Sequence, residues 1–220
     1  MIVKSNKSTL IIIVSLAVVA TCSLWLYRTQ IGAPKFNQNL HRAVGRTMAD
    51  QTAKLLGETG RIVVIAIELA GAPELKEQLD EFQRALHNFR GLSISKTYNL
   101  ETEKKPKYGV GSGLSGRRYV RIVNKNPEAD AFVSFVGAPT MSDEEVTELK
   151  RVPKFLAEAR SADKLKKLFD QKVLQLAIVS RFEFPTPVRG KPGTLQEWFD
   201  QRFQVVTAAD AKRLPSGKDE

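Results

Sequence analysis

Gly111, Gly113 and Gly116 stand at the Gly-x-Gly-x-x-Gly spacing, and Arg117 and Arg118 follow at once. Glycines so spaced let backbone amides at a helix start close on a phosphate or other anion, and the two arginines would add charge. The same residues also read as a flexible loop and helix start, because they follow a Lys-rich loop and not the first buried strand. Two Gly-Ala-Pro turns, Gly71 to Pro73 and Gly137 to Pro139, come after apolar runs. There Gly permits unusual backbone angles and Pro opens a turn or helix. Thr140 and Arg181 fall at the ends of two such runs. The candidate ligand-binding set is therefore Gly71, Gly111, Gly113, Gly116, Arg117, Arg118, Thr140 and Arg181.

No catalytic set accompanies it. Glu68 and Glu183 lie near the ends of the first and last apolar runs, but no spacing fixes their separation for acid/base work. His41 and His87 fall on different predicted helices and offer no metal constellation. The single cysteine, Cys22, lies in an apolar stretch, so neither a disulfide framework nor a multi-cysteine metal site can be built. No cofactor and no metal are expected.

The elements that must position the candidate residues alternate. Ile62 to Leu69 is a nearly unbroken β-branched run, as in a strand covered on both faces. Pro73 then opens a helix in which Leu75, Leu79, Phe82, Leu86 and Phe89 recur at steps of four and three. Leu92–Tyr98 reads as a half-polar strand, Ala131–Val136 as a buried one, and Phe155–Ala159 and Val173–Phe182 as two more. Ser142 with Glu145 and Thr194 with Glu197 are capping boxes. Ala162–Lys172 reads as a helix, and Trp198, Phe199 and Phe203 share one face of the helix that closes the fold. Ser115–Asn124 has strand-forming residues, but a right-handed crossover is needed there, which predicts a helix. The fold class that follows is α/β, a single doubly wound parallel sheet of about five strands.

The chain of 220 residues leaves room for one such domain. Leu10 to Tyr27 carries no charge and is long enough to span a bilayer as a helix. Trp25 and Tyr27 mark its far interface, and Lys4 and Lys7 precede it. A signal-anchor is the expectation. A cleaved signal peptide ending near Ala20 and a lipoprotein through Cys22 are alternatives, and both fit less well because Leu24, Trp25 and Leu26 prolong the apolar run. Arg28, Lys35, Arg42 and Arg46 after the segment outnumber the lysines before it, yet long domains are exported despite such charge. The expected order is residues 1–9 cytoplasmic, 10–27 spanning, 28–60 a juxtamembrane helical segment, 61–207 the α/β domain outside the cytoplasm, and 208–220 a disordered tail. The juxtamembrane helix, with Leu40, Val44, Met48 and Leu55 at helical spacing, either lies on the bilayer or packs on the domain.

With ADAFVSFVGAPT followed by LKKLFDQKVLQLAIVSR, residues 61–182 resemble one lobe of a type 1 periplasmic-binding-protein-like domain. Flavodoxin-like and response-regulator-like domains share much of the pattern. The resemblance implies solute binding, but that family binds solutes between two lobes, and one lobe alone cannot close as a clamshell. Weight therefore moves toward a membrane-anchored accessory subunit with a protein partner in a membrane complex. A single-lobe small-ligand sensor or solute-binding relative is the alternative, and an enzyme on phosphorylated or nucleotide substrates the third reading. The net charge of +10 favours lipid head groups, acidic proteins or nucleic acid as partners without choosing among them, and a small anionic ligand is a further expectation. Its cations are scattered with no long basic block, so a nucleic-acid partner is not expected.

Overall fold

The computed structural model describes residues 5–27, 36–57, 59–67, 72–100, 113–159, 165–181 and 191–213. They divide into two units, residues 1–36 and residues 37–220.

In the first unit, helix α1 (Ser5–Leu26) contains an 18-residue stretch, Thr9–Leu26, long and apolar enough to cross a membrane. Its large side chains, from Leu10 to Tyr27, are all exposed. An apolar surface on every side of a helix suits hydrocarbon and not water. The Thr21 hydroxyl donates to the Ala17 carbonyl at 2.8 Å, so the helix satisfies this polar group internally.

The second unit is an α/β domain around a six-stranded sheet of order β2-β1-β3-β4-β5-β6. The strands are β1 (Thr59–Ile67), β2 (Gly91–Leu100), β3 (Ala131–Ser134), β4 (Lys154–Ala159), β5 (Leu176–Ser180) and β6 (Phe203–Thr207). The first five are mutually parallel, as the alternating pattern predicts. The sixth is a correction. Phe203 leaves the helix over which it was read with Trp198 and Phe199 and starts a strand antiparallel to β5, with Ser180 opposite Phe203 and Leu176 opposite Thr207. Five β-branched and aromatic-rich residues suffice for an edge strand once β5 offers a free side.

Helices cover both faces. One carries α2 (Gln38–Leu56), α3 (Pro73–Leu86) and α7 (Leu195–Arg202); the other carries α4 (Gly116–Lys125), α5 (Asp143–Thr147) and α6 (Leu165–Asp170). Buried β1 therefore serves two cores in alternation: Val63 and Ile65 face α4, while Ile62, Val64 and Ala66 face α2 and α3. The fully buried rings of Phe82, Phe132 and Phe155 anchor these layers, each contributing about 3 kcal/mol of apolar transfer.

Helix α2 packs on the sheet and α3, as one of the two expectations for this segment has it. It is capped by the Asn37 side chain at its start and by left-handed Gly57 at its end. Its buried face is made of small residues, Ala43, Gly45, Ala49 and Ala53, with Val44 and Met48. Arg42 bonds Glu81, and His41 lies 3.4 Å from Gln78, so α2 runs parallel to α3 and its N-terminus lies at the carboxyl edge of the sheet. At the opposite edge Lys154 Nζ reaches the Leu55 carbonyl at 2.6 Å.

Two local features shape the sheet margins. The β1–β2 register shifts between Ile62 and Val63, opposite Ile94 and Lys96. The extra residue turns the strand over, so Leu92 and Ile94 pack toward α3 while Tyr98 and Leu100 pack toward α4. After β6 the chain forms a 310 helix over Ala208–Arg213, six residues that composition assigns to a disordered tail. Asp210 holds that turn by accepting from both the amide and the hydroxyl of Thr207.

Candidate functional site

Strand order reverses between β1 and β3, because β2 lies on one side of β1 and β3, β4 and β5 on the other. In an open parallel sheet that reversal opens a crevice beyond the carboxyl ends of the two strands. The loop after β3 borders it on one side. Ser134, fully buried in an otherwise apolar strand, shapes this loop by donating to the Gly137 carbonyl at 2.7 Å while accepting from the Val136 amide at 3.3 Å. Gly137 has φ +102°, a conformation that a side chain would strain.

The segment before α4 runs alongside. Ser115 and Thr140 form a parallel bridge, and the Cβ position of Gly113 lies 3.5 Å from the Val136 carbonyl oxygen. Helix α4 is fixed there by Tyr119, whose ring packs between Phe132 and Phe155 with centroids at 6.4 and 4.6 Å. The structure thus brings Gly113, Gly116, Arg117 and Thr140 together at the carboxyl edge.

A carboxylate already faces this helix start. Glu145, third residue of α5, accepts from the Ser142 amide at 3.0 Å as half of a capping box, and its other oxygen lies 3.9 Å from Arg117 Nε. A Cβ on Gly116 would meet Glu145 Oε2 and, at 2.7 Å, the Thr140 carbonyl oxygen. The helix start at Gly116 therefore faces a protein carboxylate in this structure, and Gly116 is needed for close approach. The capping box announces only the local bond of Glu145; nothing in its separation of 29 residues from Gly116 announces the second role. The Arg117 side chain is 90% exposed, so this ion pair is a loose one. Hydrogen bonding to Lys167 holds the neighbouring Asp143 carboxyl below the usual range, and Ser142 does the same for Glu144.

The remaining candidates are dispersed. Arg118 occupies another side of α4 from Arg117. Arg181 ends β5, two strands from β3 and so about 10 Å away along the edge. Its amide donates to the Arg202 carbonyl at 2.9 Å, and its Nη2 lies 3.6 Å from Asp200. Gly71, Gly111, Glu68 and Glu183 lie outside the described residues. His41 is half-buried on α2, and His87 is exposed beyond α3. Among the described residues no three His, Cys, Asp or Glu side chains are grouped to hold a metal.

The fold is that of one lobe of the solute-binding proteins. AraP, an arabinose-binding protein from Geobacillus stearothermophilus, matches with a TM-score of 0.56 at 15% identity, over 80% of this chain and 63% of its own. A solute-binding protein of an ABC transporter from Burkholderia graminis, solved with D-arabinose, matches at 0.52 and 20% identity, over 77% and 60%. A sugar-binding protein of a sugar ABC transporter from Bacillus halodurans matches at 0.53 and 12% identity, over 79% and 64%. The chain thus spans less than two thirds of the length of these proteins. No protein-family model matches the sequence, and no curated protein does. The likeness bears out the resemblance to a single periplasmic-binding-protein-like lobe and concerns the fold alone.

Proposed function

We propose that this chain is a membrane-tethered, single-lobe relative of the solute-binding proteins, taking a small polyhydroxylated or anionic ligand at the carboxyl edge of its sheet. One observation carries the reading. The 2-1-3 strand order opens a crevice there, bordered by the Ser134–Gly137 loop and the bridged Ser115 and Thr140 segment. Two neighbours of the same fold are an arabinose-binding protein and a solute-binding protein solved with D-arabinose. The ligand-facing groups are Thr140 and Arg117, both exposed, with the backbone of residues 113–116 beside them. On this reading α1 is the anchor and the domain lies outside the cytoplasm, which a periplasmic reporter fused after Arg213 would detect.

The test is a thermal-shift screen with pentoses, hexoses and their phosphates, since a ligand that binds only the folded state raises its melting temperature. Thr140→Ala and Arg117→Ala should weaken any hit about tenfold without lowering the unliganded melting temperature. A complete absence of ligand-dependent stabilisation across the panel overturns the reading.

A second reading, an accessory subunit docked on a membrane complex, is favoured by the single lobe itself. The described fold supplies one wall of a cleft, and a partner chain would supply the other. Extraction in mild detergent followed by cross-linking tests it, and a protein that is monomeric in every preparation sinks it.

A further inference from the structure

We propose that the side of α4 turned away from α5, together with β2, is a docking surface for anionic lipid head groups. Neither element contains an acidic residue, while α4 carries Arg117, Arg118, Arg121 and Lys125 and β2 carries Lys96. Helix geometry sorts these cations. Arg117 pairs with Glu145, and Asn124 bonds the Glu148 carbonyl and the Lys150 amide, so that side of α4 faces α5. Arg118, Arg121 and Lys125, at i, i+3 and i+7, fall on the crest and the opposite side, toward β2. There the bulge in β2 matters. It places Lys96 opposite Val63, on the α4 face of the sheet, with its Nζ 4.8 Å from the Tyr98 ring centroid.

The four cations Lys96, Arg118, Arg121 and Lys125 have no ion-pair partner among the described residues. Elsewhere the contrast is plain: Arg42, Arg46 and Arg84 converge on Glu81, Lys76 pairs with Asp80, and Lys167 with Asp143. Three helix positions spanning seven residues make a stripe about 10 Å long. A row of unneutralised charge, broken only by the half-buried Tyr98 ring, suits a layer of phosphates better than a folded protein surface, whose contacts need an apolar centre. In the domain the one large apolar side chain exposed among the described residues is Val152, remote from this stripe in sequence. The lipid surface is chosen over other polyanions because the same chain carries a helix able to enter a membrane. A helix in the bilayer keeps the chain near its surface, where each basic residue close to an anionic leaflet adds attraction. The inference does not rest on the ligand site.

The test uses residues 37–220, a compact unit in which, among the described residues, both cores begin at Ala43, and a cooperative melt of this fragment is recorded first. Sedimentation with vesicles of phosphatidylcholine containing 30 mol% phosphatidylserine, roughly the charge density meant by an anionic leaflet, is compared with phosphatidylcholine alone. Binding is expected only to the anionic vesicles, and it should fall steeply as salt rises toward about 0.5 M. The quadruple variant Lys96→Ala, Arg118→Ala, Arg121→Ala, Lys125→Ala should lose binding by more than about a hundredfold, at roughly fivefold per cation. Lys54→Ala, Lys166→Ala, Lys172→Ala and Lys191→Ala remove equal charge from exposed sites elsewhere and should cost far less. Equal losses in the two sets, no binding to anionic vesicles, or capture of polyglutamate or RNA in preference to vesicles each overturn the assignment. Circular dichroism melts of both variants keep a folding defect from being read as lost binding. Should the quadruple variant melt early, the conservative set with lysine at both arginines must restore binding.

Discussion

At Gly116 a methyl group would collide with two oxygens, one of them the Thr140 backbone carbonyl at 2.7 Å, which cannot swing away as a side chain can. Gly116→Ala should therefore destabilise the domain by about 1 to 3 kcal/mol, read from urea unfolding, with the separation of α4 from the Thr140 loop as the cause. An unchanged midpoint would mean that the loop yields freely. Glu145 offers a sharper experiment, because its carboxylate faces the helix start at which an anionic ligand is proposed to bind. Glu145→Gln keeps the side-chain shape and removes the charge, so an anionic ligand should bind more tightly to the variant and a neutral sugar equally well. Calorimetry with a sugar and its phosphate separates the two, and weaker phosphate binding by the variant contradicts the competition. These residues also mark how far the sequence could be read. The glycine spacing correctly locates a helix start, and residues 116–124 are helical despite their strand-forming side chains, with Tyr119 buried on the inner face. The spacing leaves open what that helix start holds, since Glu145 arrives through the tertiary fold. Ser134 carried a signal that went unused, a lone hydroxyl in the apolar run AFVSFV.

Among the elements, the pair α2 and α3 shows which features periodicity can reveal. Leu79, Phe82 and Leu86 recur at helical spacing and are buried as that spacing predicts. The closeness of the two helices depends instead on Gly45, where a Cβ would meet the Gln78 carbonyl and approach Phe82 N at 3.1 Å. Gly45→Ala gains about 1 kcal/mol of helix propensity, but it collides with backbone and should be destabilising overall, by about 2 kcal/mol in urea unfolding. A more stable variant would show that α2 is loosely docked. The same contact makes a prediction in pH. Burial beside α3 holds the His41 imidazole below its ordinary value of 6.5, with Glu74 and Glu77 pulling it back up. A histidine lowered in the folded state contributes stability that is complete above that value and is lost as pH falls through the lower folded one. The unfolding midpoint should drop between pH 7.5 and pH 5, and His41→Gln should flatten part of that dependence. An identical slope in the variant assigns the effect to other groups. Strand β6 escaped the reading because Trp198, Phe199 and Phe203 keep a helical step, and the pairing that overrides it comes from β5 and not from FQVVT itself.

For the whole molecule, the decisive fact is that each core is closed by the domain's own elements. Among the described residues, sheet residues from Ile62 to Val206 and helical residues from Ala43 onward make up both clusters. Hydrophobic burial is the main term that offsets chain entropy, so removing residues that bury nothing in the core should leave the folding free energy nearly unchanged. Residues 37–220 should therefore be soluble and unfold cooperatively, with a midpoint close to that of the full chain in detergent. Asn37 must be kept, because its side chain accepts from the Leu40 amide at 3.2 Å and starts the helix that covers the sheet. A truncation that begins at residue 58 instead would strip Val44 and Met48 from Ile62 and Val64. It should expose the α2 face of the sheet and aggregate. If the shorter fragment folds as well as the longer one, α2 is an accessory and not part of the core. The chain enters the domain at Asn37, on the same edge of the sheet that carries the crevice. Ligand-dependent protection from proteolysis should accordingly extend to the first turn of α2, and cleavage there at equal rates with and without ligand would separate the two.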